Sequence, residues 1–257
     1  MQSKYFTVDI VPTLVASEMA AAAYTDGDVI FKSTSFEVPR GACRLMSVQM
    51  MYRGIDGVAQ DGDIHLVFTK SELTTAAGNA ANDLNPSDLY STASPSTSAR
   101  IPEILGSATI LNGSAVKCGT FTVASLGPGV DNRMAGPVLS IDPSIANGGT
   151  RGTNIGYDKY FVHGTCGGNV LDFRSTLQVS TETATNTTAV VVKTTSALTT
   201  CAPGDVLKDE ADQAIGTIAS ITDANNIVLA ENCASVSAVN QDLYVLNPIE
   251  LRLTFER

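Results

Sequence analysis

The sequence predicts a mainly β protein: an antiparallel, jelly-roll-like β-sandwich with a small five-stranded β-barrel inserted before its last strand. Three observations carry that expectation. Apolar and polar residues alternate with a period of two at several places along the chain. Helix signals are few, and the stretch 174–246 condenses into short strands joined by tight polar turns. The alternation is cleanest at the C-terminus, where Ile249, Leu251, Leu253 and Phe255 face one way and Glu250, Arg252, Thr254 and Glu256 the other. Such a pattern marks a half-buried antiparallel strand.

Taken in order, Thr13–Ala23 is alanine-rich and reads as a short helix. Asp28–Phe31 and Ser35–Val38 read as two strands, the second stopped by Pro39. In Cys43–Arg53 the residues Met46, Val48, Met50 and Tyr52 alternate with polar neighbours. In Asp63–Lys70 the residues Ile64, Leu66 and Phe68 share one face and His65 takes the other. Asn85–Tyr90 carries an N-cap asparagine and a proline at the first helical position, which predicts a turn or two of helix. Asp158–His163 reads as a further strand and Gly164–Gly168 as a turn. Thr74–Arg100 and Leu126–Gly156 are long and rich in small, polar or chain-breaking residues, which predicts loops with a role of their own.

From Ser175 the composition changes to Thr, Ser, Ala and Val. Five strands follow, at Ala189–Lys193, Pro203–Leu207, Ile215–Ile221, Asn226–Leu229 and Asp242–Leu246, with polar turns at Asp209–Gln213 and Thr222–Asn226. Closing five short strands on themselves removes exposed edges. The predicted organisation is therefore a discontinuous sandwich, 1–173 plus 247–257, and a separable inserted barrel, 174–246.

Composition narrows the function. Of 257 residues, 44 % are hydrophobic and 16 % charged, against about 25 % charged in ordinary soluble domains. The 26 acidic and 16 basic residues leave a net charge of −10. A phosphate-binding surface needs a basic excess, so nucleic acid is not an expected partner. No run reaches the roughly 20 apolar residues that span a bilayer, so a membrane is not one either. Met1–Tyr5 lacks the basic and apolar regions of a signal peptide, which places synthesis in the cytoplasm.

Chemistry-bearing residues are sparse. There are two histidines and no tryptophan. His65 and His163 each fall within a predicted strand, with no Gly-x-Ser-x-Gly elbow to supply a nucleophile. Asp56, Asp61 and Asp63 surround two glycines in a turn that could in principle hold Ca²⁺, but the spacing is not that of an EF-hand loop and a hairpin turn is the favoured reading. Cys43, Cys118, Cys166, Cys201 and Cys233 form no CxxC pair and read as free thiols packed as small hydrophobes; a bridge between Cys201 and Cys233 is the open alternative. No cofactor, metal or catalytic residue is expected.

The Leu126–Gly156 loop is different. Val130, Met134, Val138, Leu139, Ile141 and Ile145 would be awkward in solvent, and between subunits they would serve as anchors. Arg133 and Arg151 in the same stretch could hold an acidic neighbour. These eight residues form the predicted interface, with an arm folded back on its own sandwich as the competing placement.

The pattern Gly204-Asp205-Val206-Leu207, Ile215-Gly216-Thr217-Ile218-Ala219-Ser220-Ile221, Ile227-Val228-Leu229 and Asp242-Leu243-Tyr244 resembles small β-barrel modules in virion proteins of tailed bacteriophages. The patterned match spans Ala189–Leu246, and the threonine-rich, weakly charged flanks are similar to capsid-associated and decoration proteins. The resemblance implies a non-enzymatic virion component of the decoration or cement type. It would bind the major capsid protein, copies of itself (a trimer, for instance), or both. The alternative is a receptor- or carbohydrate-binding module of a tail or baseplate.

Overall fold

The structure, a computed structural model, describes residues 5–14, 19, 23–41, 43–54, 62–70, 104–119, 121–127, 140–141, 150–151, 156–174, 177–193 and 197–257. Strands make up 57 % of it and helices 4 %, in antiparallel sheets. In chain order, β1 (Tyr5–Ile10), β2 (Val29–Pro39), β3 (Cys43–Tyr52), β4 (Asp63–Thr69) and β5 (Ile104–Ile110) come first. A 3-10 turn at Asn112–Ser114 leads into the hairpin of β6 (Ala115–Cys118) and β7 (Phe121–Leu126). The two-residue strands β8 (Ser140–Ile141) and β9 (Thr150–Arg151) precede β10 (Tyr157–Gly167). After β11 (Ala189–Val191) and one helical turn, α1 (Ala197–Thr200), come β12 (Val206–Asp209), β13 (Ala214–Ile221), β14 (Asn226–Leu229) and β15 (Leu243–Val245). The last strand is β16 (Ile249–Glu256).

Two sheets form the larger part. One runs β1-β16-β3-β7-β6 and the other β2-β10-β4-β5. Their inner faces share one core: Ile249, Leu251, Leu253, Phe255, Val48 and Met50 from the first meet Phe36, Val38, Ile64, Leu66, Phe68 and Val162 from the second. Phe36 stacks on Phe255 across the two sheets at 6.2 Å between centroids, and Phe6 stacks on Phe255 at 5.3 Å. The expected C-terminal strand is present, with Ile249, Leu251, Leu253 and Phe255 buried and its ladders running to β1 and β3.

Two sequence expectations need correction. The expected strands Asp28–Phe31 and Ser35–Val38 are not separate: Val29–Pro39 forms one strand, β2, and Asp28 precedes it. Phe31 pairs with Gly164 and Thr34 with Val162, so Lys32 and Ser33 both stand opposite His163. This bulge shifts the pleat, which lets Phe31 and Phe36 both enter the core and breaks the simple alternation. Gly164–Gly168, expected as a turn, continues β10 as far as Gly167. Only Gly168, at φ +81°, leaves the strand. The glycines there make room where neighbouring side chains cross the strand. A Cβ at 164 would lie 2.1–2.7 Å from three ring carbons of Phe31, and one at 167 would lie 2.2 Å from His65 Nε2.

A substitution follows from that geometry. Phe31 is 1 % exposed and packed in the sandwich core. Overfilling such a site costs about 1–3 kcal/mol, so Gly164→Ala should lower the unfolding midpoint by several degrees. The same change at Gly167 meets the half-buried His65 and should cost less. Calorimetry of the two variants decides, and equal, negligible shifts would show that the close approach carries no strain.

The inserted region has its own sheet, β11-β14-β13-β12-β15, and its own core built from Leu177, Val179, Val190, Leu207, Ile215, Ile227 and their neighbours. The five expected strands are there, but the sheet does not close into a barrel. Leu177–Ser180 lies between the two outer strands, Val179 bridged to Val192 and Gln178 to Asp242. Its backbone accepts from Lys193 N and Leu243 N and donates to Gln241 O and Val191 O, so the edges are covered by single bridges rather than by a ladder. Asp209 and Asp223 cap the two expected turns by accepting backbone N–H groups of Ala211 and Gln213, and of Asn225 and Asn226.

The two cores meet at β15. Leu243 and Val245 point into the inserted core, while Tyr244 and the following Leu246 belong to the sandwich core. The period of two thus makes one strand the shared wall of both parts. The boundary expected after 246 lies just beyond that wall, and Leu246 on its near side packs in the sandwich core. The helices expected at Thr13–Ala23 and Asn85–Tyr90 fall mostly or wholly outside the described residues, although Met19 is buried in the sandwich core.

Candidate interaction surface

Of the eight predicted interface residues, Val130, Arg133, Met134, Val138, Leu139 and Ile145 lie outside the described residues. Ile141 falls in β8 and pairs with Cys43 of β3. Arg151 falls in β9 and pairs with Asp158 of β10. At these two points the backbone of the stretch adds short strands to the sandwich, one to each sheet.

The outer face of the first sheet presents a surface that sequence reading missed. The register sets Glu250 beside Met51, Met51 beside Val123, and Val123 beside Val116 of β6. Val11 follows β1 on the other flank. Val116 is 63 % exposed and Val11 48 %. The neighbouring row is polar: Asp9 pairs with Arg252 and Arg252 with Gln49, then Gln49 with Ser125. Arg252 donates to both carboxylate oxygens of Asp9, at 2.6 and 3.0 Å, and that bond holds the Asp9 carboxyl below its ordinary range. Between the rows runs a shallow groove of about 340 Å³. The row is apolar at Val11, Met51, Val123 and Val116 and is interrupted by the exposed Glu250 of β16; apolar positions within a polar surround are the make-up of a protein contact. The outward positions of β16 and β3 were legible from alternation. Which strands stand next to them was not.

Each histidine ring meets a threonine hydroxyl. His163 Nε2 lies 3.2 Å from Thr69 Oγ1 and His65 Nδ1 lies 3.0 Å from Thr109 Oγ1, both on the outer side of the second sheet. His163 is 0 % exposed, and its Nδ1 has no hydrogen-bond partner among the described residues. Burial pulls its pKa down to about 4, so it is neutral in the fold. A ring closed to solvent, with no carboxylate bonded to it among the described residues, is a poor general base. Asp63 accepts the backbone N–H of Asn112 at 2.8 Å; Asp56 and Asp61 lie outside the described residues. Among the described residues no group of three or more His, Cys, Asp or Glu is arranged to hold a metal, and no helix is long and apolar enough to cross a membrane.

All five cysteines are free, so Cys201 and Cys233 do not pair. Cys43, Cys166, Cys201 and Cys233 are buried, and burial raises their thiol pKa values, to about 11 for Cys43 and Cys166 and about 12 for Cys201. Cys118 alone is exposed, on the edge strand β6. Since the thiolate is the reactive form, titration of the native protein with a thiol reagent should show one fast thiol of five, lost in Cys118→Ser. Two or more fast thiols would contradict the burial described here.

No protein-family model, no curated protein and no solved structure matches the chain.

Proposed function

We propose that the chain is a non-enzymatic structural virion protein, a decoration or cement component that binds an assembled capsid shell and copies of itself. The observation that carries this reading is the order of the eight principal strands. Counted along the chain, one sheet places them first, eighth, third and sixth (β1-β16-β3-β7), and the other second, seventh, fourth and fifth (β2-β10-β4-β5). That is the order of a jelly roll, in which two Greek keys fold into facing sheets, an architecture used by viral capsid proteins and by lectins. On this reading the inserted sheet is a small barrel whose wall is completed by Leu177–Ser180, carried between the seventh and eighth strands.

Fold alone does not decide function. Support for a surface role comes from the row of Val11, Met51, Val123 and Val116, crossed by Glu250, with its polar rim. The predicted arm residues Val130, Arg133, Met134, Val138, Leu139, Ile141, Ile145 and Arg151 stay part of the proposal as a second contact. The lectin-like alternative needs an exposed aromatic platform. Tyr244, the single aromatic of 174–246, is instead packed in the sandwich core.

Fractionation of the particles formed in the cell that makes the chain tests the reading. The chain should comigrate with heads, filled or empty, and mild dissociation should release it without dissolving the shell. Comigration with isolated tails or baseplates would favour the receptor-binding alternative, and absence from every particle fraction would overturn both.

A further inference from the structure

We propose that the inserted region is locked to the sandwich as one rigid, cooperative body, and that the Arg53–Asp205 pair is the lock. Arg53 follows directly on β3, in the sandwich. Asp205 sits in the turn that opens β12, in the insert. Arg53 Nη2 donates to Asp205 Oδ1 at 2.5 Å across 152 positions of sequence, and Nη1 reaches the Thr200 carbonyl at the end of α1 at 3.4 Å. The side chains are 14 % and 5 % exposed. Asp205 Oδ2 accepts the Ala202 backbone N–H at 2.7 Å, which fixes the carboxylate, and the Asp205 carbonyl accepts from Ile218 N at 2.8 Å, which ties its backbone to β13. The arginine therefore meets an acceptor already held by the insert's own backbone.

The energetics of such a pair favour a lock over a stabiliser. Removing two charges from water offsets most of their attraction, so the pair adds little to the global unfolding free energy; what it sets is the free energy of opening the insert alone. Tilting the insert away, however, would strand both charges in a poorly hydrated seam. The pair thus selects one orientation. The seam around it is closed by backbone and by apolar contact: Leu14 N donates to Leu246 O at 2.7 Å, Val206 N donates to Asn247 Oδ1 at 2.9 Å, and Tyr244, Leu246 and Val206 pack on the sandwich core. With β15 walled by both cores, the seam beside the pair belongs to both parts of the chain.

Native-state hydrogen exchange on the full chain tests this. In wild type, amides of β13 and β14 should open with the same free energy and denaturant dependence as those of β4 and β10, as one unit. The double variant R53M/D205N removes both charges, and its asparagine can still cap Ala202. There the insert amides should lose at least about tenfold protection and follow a second, shallower denaturant dependence, while β4 and β10 keep theirs. R53K, which retains a cation, should stay closer to wild type. Separate opening of the insert in wild type overturns the proposal, and so does a double variant in which the two sets of amides still move together. If R53M/D205N does not fold, the wild-type pattern decides alone.

Discussion

A chain ending at Pro248 is expected to lose its cooperative unfolding transition altogether. The deletion removes Ile249, Leu251, Leu253 and Phe255, each at most 2 % exposed. Burying a side chain of this kind contributes about 1.5–3 kcal/mol, so the four together approach the roughly 5–15 kcal/mol of net stability of a whole domain. The damage spreads by pairing. Among the described residues β1 has its ladder only with β16, and β3 loses one of its neighbours. Phe6 and Phe36 both lose the ring they stack on. The chain has no tryptophan, so calorimetry and tyrosine near-ultraviolet circular dichroism are the suitable probes. A truncated chain that melts like the full-length one would mean that the sandwich core does not depend on its last strand.

The second large effect is on acid stability. His163 titrates at about 4 in the fold, against 6.5 for an ordinary histidine, because burial disfavours its charged form. Below pH 6.5 the unfolded chain takes up a proton that the folded chain refuses. Stability from this residue is therefore fully present above pH 6.5, falls as the pH drops from 6.5 to 4, and levels off below. At about 1.4 kcal/mol for each pH unit, the loss across that window is roughly 3 kcal/mol. Asp9, Asp172 and Asp223 also have lowered pKa values, but their ordinary value is 3.8, so they act mainly below the histidine window. Urea unfolding at half-unit pH steps should show the slope in wild type and a flat response between 6.5 and 4 in His163→Gln. Parallel curves for the two proteins would assign the acid sensitivity elsewhere.

Several features were legible in the sequence because they depend on local periodicity. The two faces of β16 follow from residue alternation alone, since a strand that packs on one side and meets water on the other has no other pattern. The inserted strands and their Asp-capped turns were visible for the same reason: Asp209 and Asp223 bond backbone groups at most four positions away. Tertiary structure decided the rest. Gly164 reads as a turn residue until Phe31 from another strand is seen to occupy the space of its missing side chain. β10 shows no alternation from Tyr160 to Gly167 because it is buried on both faces. Val11 and Val116 are ordinary apolar residues in sequence, and become part of an exposed strip only because β16, β3 and β7 lie between their strands. The two parts of the chain could be told apart by composition. Their joint could not, because Arg53 and Asp205 are 152 positions apart and β15 serves two cores at once. Periodicity is a property of neighbouring residues, whereas a shared wall or a buried ion pair exists only once distant strands have met.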